Sequence, residues 1–367
     1  LATIVHGVVA GRGEVVVVRG ESGLGKSRLL REMIVTAPAS VTIALATGDR
    51  LTSARSYSSW RSALLTVLGD PANRLAAADA VTDLLPRASA LTPLVLGVLG
   101  FESPETALTD HLGPAERAEL TTQLVADLVI ARASRAPLLV VVEDAHWLDD
   151  ATADLLWALS REGTASGLGL AVFTRPGLTL PRSIAPSAIL DLEPLDDREA
   201  DQLIADAWTR SSNAEPPSNL HDLVRASAAG NPLFVESLVD AIRDRPDDPA
   251  LTLPGDLTNL LATRLDRLPE NARRTVRLAA VYGTAFNAAD LASCFGVSPR
   301  IVGDDIDRLL GDGLVQTEVR QGHARFAFRH ATVRDVAYRQ ISHHDRRSLH
   351  GRAARYLIDR GEPPLVA

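Results

Sequence analysis

The chain has 367 residues and a mass of 39.1 kDa, enough for about two or three domains and a sizeable buried core. With 46% hydrophobic and 23% charged residues it has the make-up of an ordered globular chain. One cysteine, Cys294, excludes a disulfide scaffold and a cysteine-rich zinc site, and a net charge of −8 offers no global basic field for nucleic acid.

The chain opens on Leu1 rather than Met and has no signal-peptide pattern, so it is expected to be a fragment of a longer cytoplasmic protein. Residues 1–10 read as the tail of a helix. The β-branched run Glu14–Arg19 predicts a buried parallel strand, followed by the glycine-rich stretch Gly20–Ser27 and a helix over 28–34. Further strands are predicted at Val41–Ala46, Leu138–Val142, Leu170–Thr174 and Ala188–Leu192. The longest apolar runs, such as Leu138–Val142, are too short to span a bilayer. Residues 56–134 are mostly helical by pattern. A helix over 151–160 is capped by Asp149 or Asp150, whose carboxylate can accept from free backbone N–H groups. Strands alternating with helices imply a parallel sheet covered on both faces.

From Pro194 onward the strand signal fades. Apolar residues recur at helical spacing over 197–209, 219–229, 233–243 and 257–268, with Pro246–Pro249 as a surface linker. Three more helices (272–282, 288–295 and 299–312) lead to two alternating runs, Leu314–Glu318 and Ala324–Phe328. Arg320-Gln321-Gly322-His323 between them makes a hairpin turn, and three helices followed by a hairpin is a winged-helix pattern. One amphipathic helix is predicted from about 332 to 360. The expected organisation is an α/β parallel-sheet core over 1–194, an all-helical lid subdomain over 195–268, a winged-helix domain over 269–330 and a C-terminal helix over 331–367.

Gly20-Glu21-Ser22-Gly23-Leu24-Gly25-Lys26-Ser27 fits the phosphate-loop pattern G-x-x-x-x-G-K-[ST]. Its glycines let backbone N–H groups turn inward around an anion, and the next helix, opening with Arg28, points its N-terminal dipole at the same charge. Lys26 would reach the β- and γ-phosphates, and the Ser27 hydroxyl would ligate Mg²⁺. Of the 38 basic residues only Lys26 is a lysine. Phosphoryl chemistry also needs an acid at a neighbouring strand end to hold Mg²⁺ and a group to orient water. Glu143 and Asp144 supply these, with Glu143 expected on the metal and Asp144 polarising water, and Asp144 is also counted with Ser27 and Glu143 among the candidate metal ligands. Arg175, at the end of the next strand, is expected to contact the γ-phosphate.

Together these residues resemble the signal-transduction ATPases with numerous domains, the STAND class of AAA-type P-loop ATPases. Within it the chain is most similar to large LuxR-family transcriptional regulators and cyclase-associated ATPase modules. The resemblance is carried by Gly20–Ser27, Val141–Asp149, Phe173-Thr174-Arg175, Gly230–Glu236 and Phe326–His330. It implies that Pro232 packs on the adenine ring and that His330 touches the β-phosphate of ADP. It implies a switch, ADP-bound and monomeric at rest, ATP-bound and self-associating when released. Two departures stand out. Glu143 occupies a position where Asp is commoner, and the Gly-Arg-Glu-type element that precedes the phosphate loop in the family is not in the chain. The downstream sensor repeats and DNA-binding domain are also outside it.

The main expectation is therefore an ATP-binding, slowly hydrolysing regulatory module. The alternatives are a cyclase-type signalling module, a small-molecule P-loop kinase, or a site in which ATP is only a structural ligand. Direct DNA contact is motivated by Arg273, Arg274 and Arg277 and opposed by Asp304, Asp305 and Asp307.

Overall fold

The computed structural model describes residues 2–48, 57–177, 186–211, 215–243, 257–320 and 323–360. The Pro246–Pro249 stretch and the hairpin residues Gln321 and Gly322 lie outside them. The chain divides into two compact units: residues 1–21 with 26–192, and residues 22–25 with 193–367.

The first unit runs α1 (Ala2–Val9), β1 (Glu14–Arg19), α2 (Lys26–Thr36), β2 (Thr42–Thr47), α3 (Arg61–Val67), α4 (Arg74–Leu84), α5 (Thr92–Val98), α6 (Pro114–Arg135), β3 (Leu138–Glu143), α7 (Asp150–Glu162), β4 (Gly169–Thr174) and β5 (Ala188–Asp191). The strands form one sheet in the order β2-β3-β4-β1-β5, and every neighbouring pair is parallel. Strand alternation sorts the side chains onto two faces. Val16 and Val18 of β1, Leu139 and Val141 of β3, and Ala171 and Phe173 of β4 pack with Ile4, Val8, Leu30 and Met33. Val15, Val17, Leu138, Val140, Val142, Leu170 and Val172 point the other way, against α3 to α7 and the fully buried Trp60. Burial on both faces explains why these strands read as continuous apolar runs.

β5 departs from that rule, because all four of its residues are exposed. The expectation of a sheet covered on both faces therefore fails at this edge. The edge carries a salt bridge, with Arg19 Nε donating to Asp191 Oδ1 at 2.7 Å, and a charged edge discourages unwanted strand pairing. Asp149 is the cap of α7, its Oδ1 accepting from Thr152 N at 3.0 Å.

The second unit runs α8 (Asp197–Ser211), α9 (Leu220–Ala228), α10 (Pro232–Arg243), α11 (Leu257–Asp266), α12 (Glu270–Tyr282), β6 (Ala285–Phe286), α13 (Ala288–Phe295), α14 (Pro299–Gly311), β7 (Val315–Arg320), β8 (His323–Phe328), α15 (Ala331–Arg339) and α16 (His343–Asp359). α8 to α10 close on a core that includes Ile204, Trp208, Leu220, Phe234 and Leu238. α12 to α16 share a second core around Val276, Phe286, Phe295 and Ile306. β7 and β8 form an antiparallel hairpin, and the two-residue β6 adds to β8.

Two sequence expectations change here. The single C-terminal helix is two helices, α15 and α16, because Ser342 caps the second: its Oγ accepts from Asp345 N at 3.1 Å and donates to Asp345 Oδ2 at 2.7 Å. Asp305 is not on the surface; it is buried and accepts from Thr275 Oγ1 at 2.6 Å, so only Asp304 and Asp307 of that acidic group are exposed. Among the described residues no helix is long and apolar enough to cross a membrane.

Candidate functional site

Parallel strands bring their C-terminal ends to one edge of the sheet, where such sheets place ligands. The phosphate loop leaves β1 there, Glu143 ends β3 and Arg175 follows β4. Gly23 and Gly25 adopt φ of +87° and +90°, a region open to glycine because it has no Cβ. A Cβ on Gly25 would meet nothing within 4 Å. Lys26, the first residue of α2, is buried, and its ammonium donates to Gly20 O at 2.7 Å and Glu21 O at 2.9 Å. Burial lowers its pKa; the charges of Asp144, Glu21 and Glu143 work against this and that of Arg175 adds to it.

The Ser27 hydroxyl donates to Glu143 Oε1 at 2.5 Å. The two groups expected to share a metal thus already touch. Their oxygen-only donor set suits a hard cation such as Mg²⁺, so the residues present fit that ion. Asp144 sits in left-handed backbone, φ 51° and ψ 43°, a region aspartate tolerates better than most residues. The turn is held by Gly48, whose N–H donates to Glu143 O at 2.8 Å. His146 follows, its Nδ1 3.9 Å from Asp144 Oδ1. Both ring nitrogens are buried without a hydrogen-bond partner among the described residues. Burial, then the charges of Arg175 and Lys26, push its pKa down to about 4, which keeps the imidazole neutral. Arg175 is half-buried, and Arg28 is exposed.

Residues 22–25 of the loop group with the second unit. There Asn231 Nδ2 donates to Ser22 O at 2.9 Å, Leu233 N donates to Gly23 O at 3.3 Å, and the hydroxyls of Ser22 and Thr332 lie 3.3 Å apart. Pro232 opens α10 beside Asn231 and is half-buried. His330, two residues before Thr332, has its Nε2 3.7 Å from Oε2 of Glu236, which is on α10. Glu236 also accepts from Arg210 at 2.8 Å and Arg329 at 3.4 Å.

Residues 1–173 match the family model of the AAA ATPase domain. That stretch is thus similar to AAA ATPase domains. An uncharacterized protein of Rhizobium meliloti (strain 1021) is 28% identical over 366 residues, covering 94% of this chain and 35% of that protein. The crystal structure of the STAND protein with a tetratricopeptide repeat sensor from Pyrococcus horikoshii gives a TM-score of 0.58 at 14% identity, over 100% of this chain and 46% of that one. The chain therefore has the fold of a STAND ATPase. It spans about a third of the curated relative and less than half of the STAND protein. A chain of the Drosophila ORC structure bound to DNA gives a TM-score of 0.38 at 15% identity, over 92% and 84% of the two chains.

The sequence by itself assigns no role to Gly48, nor to Asn231, Glu236 or Thr332 in the second unit. Gly48 carries no motif signal, since its need arises from the backbone of another strand. Asn231 precedes a helix-opening proline, which is a legible cap signal, but its bond to Ser22 is not local. Glu236 shares a largely apolar helix with one other acid, Asp240, and acids on such a helix are the legible hint that it meets cations.

Burial alone would raise the pKa of Glu236. Hydrogen bonds with His330 and Arg210 and the charges of Arg329 and Arg210 outweigh burial and bring it from 4.5 down to about 2. The folded chain thus keeps this carboxylate ionised where the unfolded chain protonates it. Its contribution, on the order of 3 kcal/mol, is complete above about pH 5 and is lost as the pH falls toward 2. Glu236→Gln is expected to destabilise the chain at pH 7 and to flatten the loss of stability between pH 5 and 2. Urea unfolding at several pH values checks this; a parental slope in the variant removes Glu236 from the role.

Proposed function

We propose that the chain is the nucleotide-operated module of a larger signalling or transcriptional regulator of the LuxR-like type. It binds ATP and ADP with Mg²⁺ at the phosphate loop and hydrolyses ATP slowly. The observation that carries the reading is the contact of Ser27 with Glu143, beside the buried Lys26 ammonium and the Asp144 turn.

Lys26 exchanges two neutral carbonyl acceptors for phosphate oxygens, where a charge-assisted bond is stronger. Ser27 and Glu143 would hold the metal, which would supply positive charge against the phosphates. Asp144, held at a fixed angle by its strained turn, orients water toward the γ-phosphate, and Arg175 contacts that phosphate. Pro232 packs on the adenine and His330 answers the β-phosphate of ADP. His330 then has two competing anions, the diphosphate and Glu236, and a nucleotide shifts a conformational equilibrium only through such differential contacts. The winged-helix reading of α12 to β8, self-association in the ATP state, a cytoplasmic setting and DNA contact through a downstream domain belong to the same proposal.

The test is to identify the nucleotide released on denaturing the purified chain and then to measure phosphate release from ATP. ADP in the preparation and slow release are expected. Asp144→Asn is expected to lower turnover about a hundredfold, the usual worth of a positioned base, with nucleotide affinity nearly unchanged. Phosphoryl transfer to a small acceptor in place of phosphate release would favour a kinase. Parental turnover in the variant would remove Asp144 from the chemistry.

A further inference from the structure

We infer that Asn231 is a positioning residue for the phosphate loop: its side-chain amide holds the Ser22–Gly23 peptide in the shape that receives phosphate. The inference rests on the nucleotide-binding reading above and extends it to a residue with no role in that reading.

Both halves of the amide are used. Oδ1 accepts from Phe234 N at 3.2 Å, which caps α10, and Nδ2 donates to Ser22 O at 2.9 Å. The reversed amide would set oxygen against a carbonyl and NH₂ against an N–H, so the network fixes its orientation. Capping needs only the oxygen, and serine or aspartate would serve as well. The donor half is what distinguishes asparagine, and its partner is the phosphate loop.

The fit on the loop side is close. A Cβ on Gly23 would come within 2.5 Å of Asn231 Oδ1, and Gly23 also stands at φ +87°. Any side chain there is excluded twice, by the backbone and by the amide. Leu233 N donates to Gly23 O at 3.3 Å, so the peptide beside the amide is also tied to α10.

Asn231 is itself held rigidly. Its N–H donates to Ala228 O at 2.9 Å, and Leu195 N donates to Gly230 O at 2.8 Å. Ala229, at φ 46°, is a non-glycine residue in left-handed backbone, and Gly230 follows at φ 71°. A Cβ on Gly230 would come within 2.4 Å of Leu195 O. This tight corner sets the direction in which the amide is aimed, and strained backbone persists where its surroundings over-determine it. Phosphate binding and the Asn231 bond therefore favour the same loop shape. By linkage each strengthens the other.

The test is Asn231→Asp in the full chain. Aspartate keeps the size and the cap but turns a carboxylate oxygen toward the Ser22 carbonyl. The melting temperature is expected to stay near that of the parent. The affinity for a fluorescent ADP analogue, and for Mg-ATP in competition, is expected to fall about tenfold, the worth of one lost hydrogen bond. Amide exchange over residues 22–25, measured without nucleotide, is expected to quicken. Parental affinity with parental exchange overturns the inference. Should the aspartate variant melt early, Asn231→Ser, which caps without the donor, decides: lowered affinity in a stable protein supports the inference and parental affinity overturns it. Lys26→Ala is the control for the underlying reading. If the parent binds no adenine nucleotide, that reading fails, and the exchange rates alone decide whether Asn231 holds the loop.

Discussion

Lys26→Ala is expected to lower the affinity for ATP and ADP by roughly two orders of magnitude or more, with both units folded. The ammonium is buried, and its two hydrogen-bond acceptors are neutral backbone carbonyls. Burial outweighs the nearby charges of Asp144, Glu21 and Glu143, so the cation is incompletely compensated, as the lowered pKa reflects. A phosphate oxygen supplies the missing charge. Each hydrogen bond to a charged group contributes on the order of 2 kcal/mol, so losing two gives roughly that factor. The alanine also leaves the Gly20 and Glu21 carbonyls without this donor, a modest cost at the rim of the loop. Isothermal titration with Mg-ATP and ADP, beside circular dichroism, checks the expectation. A second check uses the fact that the chain has one lysine. An amine-selective acylating reagent finds only Lys26 and the chain's own amino terminus, and ATP should shield the first and not the second. Unchanged affinity in the variant, or no shielding in the parent, would end the nucleotide reading.

Gly48→Ala is expected to cost about 1–3 kcal/mol, the usual range for overpacking, and to lower ATP turnover at least tenfold. It should leave nucleotide affinity much less affected. An added Cβ would stand 2.4 Å from Asp144 O and 3.3 Å from Trp147 Cβ. The first of these is backbone and cannot swing aside. Gly48 N also donates to Glu143 O, so relief has to come from moving the turn that carries Asp144. That turn is already strained, with a non-glycine residue at positive φ. Gly97→Ala in α5 is the matched control. A Cβ there meets nothing within 4 Å, and alanine is the better helix former by up to about 1 kcal/mol, so this variant should be neutral or more stable. Thermal melts and phosphate-release rates of the two variants read the difference. Parental turnover in Gly48→Ala would show that the Asp144 turn can move without consequence.

The local elements of this protein were readable from the chain alone. Three strands buried on two faces, β1, β3 and β4, announce themselves as apolar runs, because no polar alternation is needed where both sides are covered. The phosphate loop is equally local: its glycines, lysine and serine are neighbours in the chain, and their chemistry needs only that spacing and the strand and helix around them. The acids at the end of β3 follow from the same reading. The second cap on the C-terminal helices was also written locally, in Ser342 and Asp345, although amphipathic periodicity running across it hides the break.

Tertiary structure decided the contacts that cross long stretches of chain. Ser27 meets Glu143 because β1 and β3 are placed in one parallel sheet, with β4 between them. Gly48 is required by the path of Asp144, Asp305 is buried by Thr275, and Glu236 finds cations from α8 and from the end of β8. Asn231 reaches the phosphate loop across 209 residues. No local propensity encodes such pairings. Each depends on backbones brought together by burial of apolar surface, which sets where a polar group ends up but not which partner it meets there. The sequence determined the kind of chemistry this protein can support; the packing decided which residues hold that chemistry in place.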